Sequence, residues 1–268
     1  MSLQIIVCGS VVPDPLQSLI PVQTPDGFGR KNEMMLPHVL DPWAAHALYE
    51  AANLAKQVEG SKVYLVSLGA KAKLQQTMMT IAQKVPFELI AVDGSHSGFT
   101  DSTTVANALA SAIENIPGLD KSNLLLFGGW ESASRAAGTT MQIIGEKLGI
   151  VDQFQGVDEI KMNADGSFSV LERVEGGKHQ ESTCTGPPAV LGWATGNLPE
   201  PPNNPQVGMM NMRTAMPAIQ KAQTAPIKDE ALLFKDVKVP AQKRETKIIK
   251  DLPESEVAKE IVEWLREG

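Results

Sequence analysis

Cysteine is scarce: Cys8 and Cys184 are the two in a chain of 268 residues. They stand far apart, and Cys8 falls in an apolar run, so free thiols and a reducing cytoplasm are expected rather than a disulfide framework. The four histidines form no His/Cys cluster, which argues against structural zinc. No apolar stretch approaches the ~20 residues that span a bilayer, so membrane insertion is not expected. Met1-Ser2-Leu3 runs into an apolar segment with no basic region ahead of it, so no signal peptide is expected. Positive charge is in deficit, with a net charge of −7. The densest basic run, Lys243, Arg244, Lys247 and Lys250, is diluted by Glu245 and Asp251, so no nucleic-acid surface is expected.

Several catalytic and nucleotide signatures are also missing. There is no Gly-x-Ser-x-Gly elbow, no His-Glu-x-x-His, no Walker-type phosphate loop, and no Gly-x-Gly-x-x-Gly after the first strand. His38 and His46 flank Asp41 and read as surface or helix-start residues, and His179 as solvated. Asp101 reads as a helix cap. Met209, Met210 and Met212 suit either a protein contact or the core.

What is present is an alternation. Continuous apolar runs at 3–8, 62–67, 89–92 and 123–127 suit strands buried on both faces. Helical patterns lie between and after them: 42–58, opened by Asp41 and Pro42, then 71–83, a third after Asp101, and a fourth from about Gly138. This order predicts an α/β fold with a doubly wound, mostly parallel sheet. Residues 158–171 predict a hairpin around Asn163-Ala164-Asp165-Gly166, and 180–184 and 189–193 predict further strands of a meander. From Gly196 prolines crowd and no apolar period survives. The chain closes on an amphipathic helix opened by Pro253, with Val257, Ile261, Trp264 and Leu265 on one face. The expected division is residues 1–195 as a nucleotide-binding domain and 196–268 as an extended C-terminal arm.

Ligands of such sheets bind at the carboxyl ends of strands. Three loops qualify, after Cys8, after Ser67 and after Phe127. The third, Gly128 to Thr140, is rich in small residues and hydroxyls, carries Arg135 and leads into a helix. Backbone N–H groups there, with Ser134, Thr139, Thr140 and Arg135, suit a phosphate. A flexible loop with a capping threonine is the other reading.

Taken in order, these segments resemble the electron-transfer flavoprotein beta subunit family over the first strand to about residue 227. Ile5 to Cys8 with Val12-Pro13-Asp14 resembles its opening strand and turn, Asp41-Pro42-Trp43 its first helix start, and Val66 to Gly69 its Val-Ser-x-Gly. Glu175-Gly176-Gly177 with Pro188 to Leu191 resembles its acidic-Gly-Gly and Pro-Ala-Val strands. Met216 to Ala222 with Pro226-Ile227 resembles its recognition segment. The resemblance implies an adenine nucleotide alpha hydrolase-like Rossmannoid domain that binds AMP, or a second FAD in electron-bifurcating members. It implies an electron-transfer flavoprotein alpha subunit that holds the redox FAD, and a partner dehydrogenase. Carried over by position, Cys8, Asp41 and Leu68 surround adenine and ribose, largely through backbone groups. Gly128, Glu131, Ser134, Arg135, Ala137, Gly138, Thr139 and Thr140 belong to the phosphate loop, and Met216 inserts into the dehydrogenase. The chain itself is then an electron-carrier subunit without catalysis of its own. Asp41 stands for the family's Asn, Ser10 for its Lys, and small residues for its polar phosphate-loop side chains, which marks a divergent branch. A universal-stress-type regulatory protein and an ATP pyrophosphatase-like enzyme are the rival uses of such a scaffold.

Overall fold

The computed structural model describes residues 2–25, 27–95, 98–227, 234–238, 241, 248 and 250–267. Met1 and, from the basic run, Lys243, Arg244, Glu245 and Lys247 lie outside the described residues. The chain opens with β1 (Gln4–Cys8), β2 (Val11–Pro13), β3 (Pro21–Thr24), β4 (Gly27–Arg30) and β5 (His38–Leu40), and continues with α1 (Pro42–Gln57). It then runs through β6 (Lys62–Gly69), α2 (Lys71–Ile81), β7 (Glu88–Asp93), α3 (Ser102–Glu114), β8 (Leu124–Gly129) and α4 (Thr140–Leu148). The second half holds β9 (Gln153–Met162), β10 (Phe168–Val174), β11 (Lys178–Cys184), β12 (Ala189–Trp193), α5 (Pro205–Lys221) and α6 (Glu254–Glu267).

Eight strands form one sheet in the order β11-β10-β9-β12-β8-β1-β6-β7. Six of them, from β9 to β7, run parallel, and β10 and β11 extend the sheet antiparallel. The apolar runs are continuous because both faces are covered. In β1, Ile5 and Val7 enter the core beneath α1 and α2, while Ile6 and Cys8 enter the core beneath α3 and α4. Phe127 and Trp193, on neighbouring strands, pack with ring centroids 5.2 Å apart at the centre of the first core. Both cysteines are free and buried. The doubly wound, mostly parallel α/β sheet is thus as the alternation predicts, and β9, β10 and β11 form the expected meander. β12, expected to continue it, instead inserts between β8 and β9 and pairs parallel with both.

Two caps also follow the sequence. Asp41 accepts from the Trp43 N–H at the start of α1, and Asp101 from the Thr103 and Thr104 N–H groups at the start of α3. The short pairs β2–β5 and β3–β4 are additions that no apolar run announces.

The larger addition is α5. Asn204 caps it through the Gln206 and Val207 N–H groups, and Pro205 occupies its first turn. The helix packs on β7 and α2. Its buried stripe is Gly208, Asn211, Ala215 and Ile219, at helical spacing but with one large apolar residue among the four. Asn211 bridges to the Ala82 and Val85 carbonyls and accepts from the Phe87 N–H, so its polarity is satisfied inside the interface. The compact unit that contains α5 runs from Met1 to Val237, and Lys238–Gly268 form a second unit. In that second unit α6 carries Glu254 and Glu256 in its first turn and Arg266 in its last, which complements the helix dipole. No helix among the described residues is long and apolar enough to cross a membrane.

The meander is pinned by one buried acid. Asp158 on β9 accepts from Arg173 Nε at 3.0 Å and Nη2 at 2.8 Å, and faces His179 Nε2 at 2.9 Å. Burial pushes its carboxyl up, but the hydrogen bonds and charges of Arg173 and His179 outweigh this and hold it below the ordinary range. Its contribution to stability is therefore present above the ordinary carboxylate range and is lost as pH falls through the depressed value. Arg173→Gln is expected to lower unfolding free energy by about 1–2 kcal/mol at neutral pH, a figure limited by the half-exposed guanidinium. Urea titrations should show this cost shrinking toward zero in acid. A cost that stays constant with pH would place the effect in packing instead.

Candidate functional site

The strand order reverses at β1: the chain leaves β1 for β6 on one side and later returns to β8 on the other. Such a switch point opens a crevice at the carboxyl ends of the strands. Here Cys8 and Gly128 are register partners at that end. Two glycines let β8 pass between the starts of α1 and α4. A Cβ at Gly128 would meet the Met141 side chain, and one at Gly129 would stand 2.5 Å from the Glu131 carbonyl oxygen and 2.6 Å from Trp43 Cβ.

The loop that follows β8 is held from several directions. Trp130 N–H donates to the Trp193 carbonyl at 2.9 Å, and Ala136 N–H to the Ser132 carbonyl at 2.8 Å. Arg135 N–H donates to Ser132 Oγ at 3.3 Å, and the Ser132 and Ser134 hydroxyls stand 3.3 Å apart. Ala136 (φ 53°) and Gly138 (φ 64°) adopt the left-handed region. Left-handed residues in such a turn swing successive N–H groups toward one concavity, a form of anion nest. Thr139 caps α4 in position but makes no side-chain cap; its hydroxyl donates to Ser102 Oγ at 2.9 Å instead. The first N–H groups of α4 are thereby left for another acceptor.

Asp41 ties this loop to α1. One carboxylate oxygen accepts from Trp43 N–H at 3.1 Å, the other from Ala133 N–H at 2.8 Å. The residue is 4% exposed. Burial pushes its pKa up to about 6 against the hydrogen bonds from Ala133, Trp43 and Ala44, and the charge of Glu131 adds to the rise. Burial likewise pushes the Cys8 thiol up to about 12, so it stays protonated at neutral pH and serves as an apolar floor.

These groups surround a cleft of about 70 Å³. Of the residues expected at the nucleotide, Cys8, Asp41, Glu131, Ser134, Arg135, Ala137, Gly138, Thr139 and Thr140 line it. Gly128 lies beneath it against Met141. Leu68 is fully buried in the core under α3 and α4, and its neighbour Gly69 opens on a second cavity. Met216 is half-buried on α5 and lines neither space. Ser10, Ser132 and Trp130 join the cleft without having been singled out for it. Arg30, His38 and Lys73 line the second cavity and carried no such expectation; a hairpin arginine, a strand histidine and a helix lysine give no local signal of convergence.

Among curated proteins none matches the chain. A family model for the electron transfer flavoprotein domain matches residues 32–233, a span that takes in α1 through α5 and the whole phosphate-type loop.

Proposed function

The chain belongs to the electron transfer flavoprotein domain family, and from that premise we propose that it is the beta-type subunit of a heterodimeric electron carrier. In this reading it holds AMP at the ends of β1 and β8. An alpha-type subunit holds the FAD that shuttles electrons from a dehydrogenase to an acceptor. The observation that carries the reading is the loop between β8 and α4. Its left-handed turns, its hydroxyls and the uncapped start of α4 converge on the switch-point cleft. That donor set fits a phosphate, the group by which AMP would be anchored in the cleft.

The chain's own residues then bind and orient; they make and break no bond. Gly138 and the first turn of α4 face the phosphate, with Ser134 as a hydroxyl donor. Asp41 holds the loop in place through Ala133. The FAD of the heterodimer supplies one-electron chemistry when bound. Met216 on α5 is the residue assigned to dehydrogenase contact.

A second reading puts FAD in place of AMP. A further cavity of about 430 Å³, which shares Ser134 with the cleft, favours it by offering space for a larger nucleotide. Both readings are tested by purifying the chain with its alpha-type partner, denaturing the complex and identifying the released nucleotides by chromatography. One FAD and one AMP per heterodimer support the simple carrier. Two FAD support the second reading. A homodimer that releases no flavin overturns both and leaves a regulatory nucleotide-binding protein.

A further inference from the structure

The cavity of about 430 Å³ is bounded by Arg30, Glu33, His38, Lys73 and the Gly69-Ala70 entry to α2. Its charge is unbalanced: Glu33 is the one acid among its described lining residues, against Arg30 and Lys73. Arg30 ends β4, and its side chain is 9% exposed. Its Nη2 donates to Glu33 Oε1 at 2.7 Å and its backbone N–H to Glu33 Oε2 at 3.2 Å. Its Nε is buried and has no hydrogen-bond partner. A guanidinium offers five N–H donors in a planar fork, more than a single carboxylate takes up.

The eleven-residue α2 adds to this. Ala70 at its N-cap has no polar side chain to accept a capping bond, and the first turn holds Lys71 and Lys73 with no acid. The first N–H groups of the helix and its dipole thus present positive potential at the cavity wall. The charges of Arg30 and Lys73 also act on the neighbours. His38 is made harder to protonate first by burial, then by the charges of Lys73 and Arg30, with Glu33 opposing. Glu33 is held below its ordinary range: burial raises it, and Arg30 and Lys73 together outweigh that.

Close packing links the cavity to the loop. A Cβ at Gly98 would stand 2.7 Å from the Ser134 carbonyl oxygen and 3.4 Å from Arg30 Nη1. The glycine lets the guanidinium and the phosphate-type loop approach one wall.

We propose that this cavity is a second phosphate subsite, in which Arg30, Lys73 and the amino end of α2 hold a phosphate group. Phosphate matches a buried planar fork, a lysine point charge and free helix N–H groups together. The group comes either from a free phosphate or from a further phosphate of the nucleotide seated in the cleft. The proposal goes beyond the AMP reading and stands without it.

Calorimetric titration of the full chain with inorganic phosphate, AMP and ADP separates these sources. Arg30→Gln and Lys73→Gln are compared with the parent; the Lys73 change leaves the Arg30–Glu33 pair intact and guards against a disturbed hairpin. If the phosphate is free, it binds in the presence of saturating AMP, and each substitution weakens it about tenfold. If it belongs to the nucleotide, ADP displaces it, and each substitution cuts the preference for ADP over AMP about tenfold while AMP itself is held as before. The proposal is overturned if the parent neither binds phosphate nor prefers ADP, or if both properties are unchanged in the two variants. Failure of AMP to bind the parent overturns the AMP reading alone, since the weakening of phosphate binding by the Arg30 and Lys73 substitutions, neither of which lines the cleft, still reports on the subsite.

Discussion

Asp41→Asn is expected to change the pH dependence of stability by about 3 kcal/mol between strong acid and neutral pH. The carboxyl titrates near 3.8 when unfolded and near 6 in the folded chain, chiefly because burial disfavours its charge. The sign follows from linkage. A raised folded pKa means that the folded state binds the proton more tightly. The stability this adds is complete below about 3.8 and is lost as pH rises through about 6. The asparagine does not titrate. Subtracting the variant's unfolding free energy from the parent's, at each pH, should therefore give a difference that falls by about 3 kcal/mol from acid to neutral solution. Other titrating groups largely cancel in that subtraction. The variant also loses one acceptor, since an amide oxygen cannot serve both Trp43 and Ala133 as two carboxylate oxygens do. This second effect shifts the whole curve and leaves its slope alone. A difference that is flat between these limits would mean that water reaches Asp41 and that the clamp on the loop is not a dry one.

Gly129→Ala is expected to damage both stability and the cleft. The added methyl meets the Glu131 carbonyl oxygen at 2.5 Å and Trp43 Cβ at 2.6 Å. Neither obstacle is the end of a flexible side chain, so no rotamer change relieves the clash. The end of β8 or the start of α1 must move, at a cost of about 1–3 kcal/mol for overpacking and more where backbone shifts. A chain of this size would then melt roughly 3–10 °C lower. Displacing Glu131 also displaces Ala133, which hangs on Asp41, and with it the turn that faces the cleft. Affinity for the AMP proposed at the cleft should drop at least about tenfold. Gly192→Ala provides the contrast. Its methyl would meet the Gln155 side-chain amide, whose buried oxygen and nitrogen have no partner to lose. That side chain can turn away, so the melting temperature should fall less. Equal effects of the two substitutions would show that crowding at β8 is relieved as easily as at β12, and that Gly129 has no special part in shaping the cleft.

Much of this protein is written in local patterns. Strands covered on both faces must be apolar throughout, and helices covered on one face must repeat every three to four residues, so β1, β6, β7 and β8 and α1 to α4 can be found without tertiary information. Asp41 and Asp101 announce themselves as caps because a short acceptor before a helix has few other uses. The small-residue loop after β8 is legible as a candidate for a similar reason: small residues and hydroxyls leading into a helix suit a phosphate.

Tertiary structure decided the rest, and the reason is the same in each case. Hydrophobic periodicity reports burial where buried side chains are apolar. On α5 the buried stripe runs through Gly208, Asn211 and Ala215, because the helix sits close on its neighbours and Asn211 meets their open carbonyls. Such a stripe has no hydrophobic signal to read. Asp41 caps α1 by a local bond that the sequence foretells, but its bond to Ala133 spans 92 positions and exists because β1 and β8 are neighbours in the sheet. Arg30, His38 and Lys73 meet around one cavity for a similar reason: the β3–β4 hairpin, β5 and α2 gather at the same end of the fold. Local sequence determined which segments become strands, helices and the phosphate-type loop, because those choices depend on neighbours a few residues away. The order of the strands determined which polar groups face one another, because that pairing depends on distances the chain closes only when it folds.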